Sequence, residues 1–103
     1  MTHQISVCYG HPEDPTAFDE YYRSTHVPLA RKVPGLSGFD WGVCSSLDGS
    51  EPQFYAVAHL RFDTQSDLQQ ALQSTEMRSA GIDVGNFATG GATMFVQHLE
   101  SPR

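Results

Sequence analysis

The apolar residues of this chain change their spacing in a fixed succession, and that succession limits the folds open to it. Ile5, Val7 and Tyr9 alternate over residues 4–9, so they share one face of a strand. Phe18, Tyr22, Thr25/His26, Leu29 and Val33 then recur every three to four residues, the spacing of one helical stripe. Alternation returns over residues 39–47, where Phe39, Trp41 and Val43 share a face. Residues 54–62 are nearly continuously apolar, which predicts a central strand covered on both faces. A second helix is expected from Thr64 or Ser66 to Leu72, with Leu68, Ala71 and Leu72 inward, and a further short helix over 74–84. Residues 86–91 read as a glycine-rich loop and 92–99 as a last strand. Gly10-His11-Pro12-Glu13-Asp14 is a turn, Asp14 can cap a helix that begins at Pro15, and Pro34-Gly35 stops it.

The resulting order is β-α-β-β-α-β. It predicts an α+β, ferredoxin-like protomer: a four-stranded antiparallel sheet with helices on one face only. All 103 residues, 1–103, fall into that single domain, which leaves nothing to cover the other face of the sheet. Apolar aromatics around the second strand make a second copy of the chain the natural cover, and a homodimer is expected. The first and second strands are not neighbours in this topology, so no bridge between Cys8 and Cys44 is expected. The tail, residues 99–103, is expected to fray.

Charge and composition remove several function classes. Twelve acids against six bases give a net charge of −6, with no long basic run. Nucleic-acid binding needs clustered Lys and Arg, so it is excluded, and the same deficit argues against an anionic membrane surface. No run approaches the ~20 apolar residues of a membrane span, and the first residues lack the pattern of a secretory leader. Two cysteines outside any CxxC spacing read as reduced thiols of a cytoplasmic protein. The histidines at 3, 11, 26, 59 and 98 lack metal-ligand spacing, so no metal is expected, and no phosphate loop or nucleophile elbow is present.

One segment stands apart, Tyr21-Tyr22-Arg23-Ser24-Thr25-His26-Val27-Pro28. His26 lies on the apolar stripe, two residues before an internal proline that cannot bond the Ser24 carbonyl and crowds that turn. Two readings stand side by side. His26 is either a general acid/base or polar anchor aimed into an apolar pocket, or a half-buried histidine bonded to a backbone carbonyl. His59, in the apolar third strand, faces either a cavity or the helices, and the structural role is favoured. Tyr9, Tyr22, Phe39, Trp41, Phe54 and Phe62 would line or floor an apolar site, or simply form core. Asn86 would bond a ligand carbonyl or cap a chain end.

The run Tyr22-x3-His26-x-Pro28-Leu29-x-Arg31-Lys32-x-Pro34-Gly35-Leu36 resembles the ethyl tert-butyl ether degradation (EthD) family. So do Ala58-His59-Leu60-Arg61-Phe62-Asp63 and Asp83-x2-Asn86-Phe87-x3-Gly91, in the same order along the chain. The resemblance implies a dimeric α+β barrel, two ferredoxin-like protomers packed sheet to sheet. Relatives in the wider superfamily include methylmuconolactone isomerases, polyketide cyclases and monooxygenases that work without metal or flavin. On that footing His26 is carried over as the acid/base and Asn86 as a polar contact. Leu60 on the third strand and Phe87 join Tyr22, Phe39 and Trp41 as residues expected to touch a substrate. Two departures show: His59 stands where relatives often carry an acid, and Leu60 stands near the cysteine of the methylmuconolactone isomerases.

The expectation is therefore a small cofactor-independent enzyme of catabolic or polyketide-type metabolism. It would act by acid/base chemistry on an apolar carbonyl compound, a lactone, quinone or ring intermediate, in a hydrophobic cavity. The alternative is a non-catalytic binding or accessory protein for a hydrophobic intermediate or a neighbouring oxygenase system.

Overall fold

The computed structural model describes residues 2–100. Four strands, β1 (Thr2–Tyr9), β2 (Gly38–Val43), β3 (Ala56–Phe62) and β4 (Ala92–Leu99), form one antiparallel sheet in the order β2-β3-β1-β4. The helices, α1 (Pro15–Tyr21), α2 (Val27–Ala30), α3 (Gln65–Leu72) and α4 (Thr75–Phe87), lie on one face. This is the ferredoxin-like arrangement that the order of periodicities predicts.

The helix starts follow local chemistry. Asp14 accepts from the Ala17 amide with Pro15 in the first turn, Thr64 accepts from Asp67, and Ser74 from Met77. Each side-chain oxygen satisfies an amide that the first turn leaves without a partner.

Several elements differ from expectation, each for a physical reason. The first helix is a three-part rod: between α1 and α2 lies a π segment, Tyr22–His26. Pro28 brings no amide to the turn, and the Val27 amide reaches back five residues to the Tyr22 carbonyl. The second strand ends at Val43, after which Leu47 is fully exposed and Asp48 organises a polar loop through the Ser50 amide. Helix α4 runs on through Asn86 and Phe87, which a loop reading had excluded. The inward residues Ala80, Asp83 and Phe87 hold that last turn down.

Within one chain β3 is covered on one face only. Ala56, Ala58, Leu60 and Phe62 are buried under the helices, whereas Val57, His59 and Arg61 alternate onto the far face and are half-buried. Leu99 closes β4 opposite Thr2 rather than fraying, and the rest of the tail beyond residue 100 lies outside the described residues. Cys8 and Cys44 are free thiols.

The core is an aromatic cluster centred on Phe18. Its ring stacks on Tyr22 at 5.5 Å and meets Tyr9, Tyr55 and Phe87 edge-on at 5.2–5.4 Å. The far face of the sheet is more polar. Ser6 sits among Gln4, His59 and Gln97, with hydrogen bonds of 3.2–3.3 Å, and Arg61 pairs with Asp40.

Candidate functional site

An apolar cavity lies between the rod, α4 and the sheet. Ile5, Val7 and Tyr9 of β1, Ala58 and Leu60 of β3, and Phe39 of β2 form its floor. Tyr22, His26 and Ala30 form one wall, and Met77, Ala80, Gly81 and Val84 the other. Met94 of the edge strand β4 stands at the rim, 52% exposed. The interior is narrow. Its volume is about 60 Å³, enough for a few waters.

Three polar groups belong to this lining: the hydroxyls of Tyr9 and Tyr22, 3.4 Å apart, and the His26 imidazole. Burial drives the Tyr9 phenol far up and pushes Tyr22 up to about 12, so both remain protonated donors near neutral pH.

His26 is 4% exposed, and its Nδ1 lies 2.8 Å from Oδ2 of Asp83, which is 6% exposed. Asp83 Oδ1 accepts from the Tyr21 hydroxyl at 2.6 Å and from Asn86 Nδ2 at 3.1 Å. The π segment makes this convergence possible. Tyr21 and His26 are five residues apart, about 140° around an α-helix, but one turn apart where the helix widens. Both therefore reach one carboxylate. The other imidazole nitrogen, Nε2, has no hydrogen-bond partner among the described residues. Since none of their buried side-chain nitrogens or oxygens is left unpaired, Nε2 keeps some accessible surface, and His26 lines the cavity.

Burial lowers the affinity of His26 for a proton more than Asp83 raises it, which holds the imidazole below its usual 6.5. Burial alone would raise the Asp83 carboxyl, but hydrogen bonds from Tyr21, His26 and Asn86 override it and hold the group below 3.8. The pair is accordingly a neutral imidazole on a carboxylate at neutral pH. Both groups bind protons more weakly folded than unfolded, so their contribution to stability is complete above about pH 6.5 and declines as the pH falls below it. Urea titrations between pH 7.5 and 5 are expected to show this decline, and His26→Gln should flatten it. An equal slope in the variant would show that other groups carry the pH dependence.

The residues expected from sequence divide into two sets. His26, Tyr22, Phe39 and Leu60 meet in the cavity. Trp41 backs Tyr22 from outside it, with ring centres 4.4 Å apart and Arg23 over its ring. Phe87 packs on His26 at 4.7 Å, and Asn86 is exposed and turned to Asp83; both line an outer groove with Tyr21, Glu13 and Asp14. Asn86 is there because α4 continues past it and places it one turn from Asp83. His59 lies on neither of the expected sides: inward Leu60 forces it onto the sheet face away from the helices, beside Ser6. Asp83 and Tyr21, though within the segments quoted above, carry no assigned role from sequence. The signal was an acid on the inward stripe Ala80–Asp83–Phe87, the same irregularity that marks His26.

None of the described helices is long and apolar enough to cross a membrane, and no three His, Cys, Asp or Glu side chains among the described residues are placed to hold a metal. Comparison with solved structures finds an EthD family protein from Bacillus halodurans at 35% identity. It covers 97% of this chain and 100% of that one, with a TM-score of 0.88. A dimeric ferredoxin-like protein of unknown function from Jannaschia shares the fold at 18% identity, with 96% and 100% coverage and a TM-score of 0.69. Among curated sequences, an uncharacterised 11.0 kDa protein from the thcB–thcC intergenic region of Rhodococcus erythropolis is 47% identical over 99 residues, 96% of each chain. The family model for the EthD domain matches residues 10–91, and with these relatives it establishes that the chain belongs to the EthD family.

Proposed function

We propose that this protein is a small cofactor-free acid/base enzyme acting on an apolar carbonyl compound, such as a lactone, quinone or ring intermediate. The observation that carries the reading is His26. A neutral imidazole with one nitrogen on a buried carboxylate presents the other to an apolar cavity. With a lactone or cyclic ketone, Nε2 takes a proton from the saturated carbon beside the carbonyl, the C–H electron pair moves into an enolate, and the Tyr22 hydroxyl donates to its oxygen. The proton then returns from the imidazolium to carbon. The low dielectric around the site strengthens each of these interactions. Leu60 and Phe39 supply the apolar floor. Met77 and Met94, with flexible thioether chains, stand in the wall and at the rim where a ring would enter.

The same cavity supports a second reading, in which the protein holds a hydrophobic intermediate without changing it. Under either reading the far face of the sheet is covered by a second copy, as the uncovered half of β3 and the exposed Phe95 of β4 support.

Deuterium exchange separates the two. The protein is incubated in D₂O with a panel of small lactones and cyclic ketones bearing hydrogen on a saturated carbon beside the carbonyl, and exchange is followed by proton NMR. Protein-dependent exchange on at least one compound is expected. Saturable binding with no exchange on any bound compound would leave the accessory role standing.

A further inference from the structure

The geometry points to Asp83 as the positioning residue that fixes the tautomer of His26, holding the proton on Nδ1 and leaving Nε2 as a bare base toward the cavity. The inference rests on the acid/base reading for its consequence, but not for its test. Asp83 receives hydrogen bonds on both oxygens. Tyr21 and Asn86 donate to Oδ1, and Oδ2 lies 2.8 Å from His26 Nδ1. The two donors on Oδ1 favour the ionised form, and the carboxyl is held below its usual range, so at neutral pH the group is a carboxylate, an acceptor only. Nδ1 must then be the donor. A neutral imidazole carries one proton, and with it on Nδ1 the Nε2 lone pair is free.

The groups facing His26 leave no rival for that proton. Tyr22 from the same rod and Phe87 from α4 pack on the ring as aromatic faces, and the Tyr9 and Tyr22 hydroxyls are bonded to each other. Tyr21 and Asn86 extend the device outward. Both line the outer groove, so a carboxylate that would otherwise be desolvated has its second oxygen satisfied by side chains at the surface. Burial of the pair prevents water from competing for either partner.

The tautomer can be read directly. In ¹⁵N-labelled protein at pH 7.5, long-range proton–nitrogen correlations distinguish a protonated ring nitrogen from a bare one. Wild type is expected to show Nδ1 protonated and Nε2 bare. Asp83→Asn presents an amide N–H to Nδ1, so the proton should move to Nε2 and exchange should fall at least about 100-fold, since the base now faces away from the cavity. Asp83→Glu keeps a carboxylate and should recover the wild-type tautomer with part of the rate. An Nε2-protonated ring in wild type, or an unchanged tautomer in Asp83→Asn, overturns the inference. The wild-type spectrum decides by itself if Asp83→Asn does not fold. A correct tautomer in a protein that exchanges no substrate leaves the Asp83 assignment intact and removes the enzymatic reading instead.

Discussion

His26→Ala is expected to slow proton transfer on a responsive carbonyl compound about 10²–10⁴-fold, the range lost when a positioned acid/base group is removed. Binding should change far less, because the apolar floor of Ile5, Val7, Phe39, Ala58 and Leu60 remains. The loss therefore falls on kcat rather than on KM. Some stability goes with it. Truncation leaves Asp83 Oδ2 without its partner, at about 1–3 kcal/mol for a desolvated acceptor, although Tyr21 and Asn86 still hold Oδ1. Exchange rates measured beside ligand affinity provide the check. A variant that exchanges within about threefold of wild type removes His26 as the base.

Phe18→Ala should have the largest effect on folding, about 3–5 kcal/mol. The ring is buried at the centre of the aromatic cluster, lies 10° from parallel with Tyr22, and offers its edges and face to Tyr9, Tyr55 and Phe87. Each such pair adds to what area burial alone contributes. The surrounding rings are large and fixed by their own partners, among them the Tyr55–Asp19 hydrogen bond, so they cannot collapse into the space. Against a total of about 5–15 kcal/mol for a domain, this is about a fifth or more. The urea midpoint should drop with the slope unchanged. A loss under about 1.5 kcal/mol would show that the cluster relaxes into the gap.

The fold was legible because its signals are local. A period of two or of three to four residues, Pro15 after Asp14 and the stop near Pro34-Gly35 each act within a few positions of themselves, and together they dictate the order of elements. Half of the site was legible for the same reason, since Phe18, Tyr22 and His26 share one stripe. Asp83 was not, because its meaning depends on a residue 57 positions away. His59 was misplaced because strand parity needs a fixed neighbour, and only Leu60, once seen to be inward, supplies it. The direction of Asn86 turned on whether α4 stopped one turn earlier, and helix ends are decided by packing as much as by sequence.

The widened turn at Tyr22–His26 also has a use outside this molecule. An aromatic hydroxyl and a histidine five places apart, with a proline two places further on, would be scattered around an ordinary helix. Here they meet on one acid. Tyr21, His26 and Pro28, followed by Asp83 and Asn86 three apart, thus form a fingerprint of spacing rather than of residue type. It can be sought in other small α+β chains as the mark of a histidine held by length, one in which inserting or deleting a single residue would silence the site while every contributing side chain was still present.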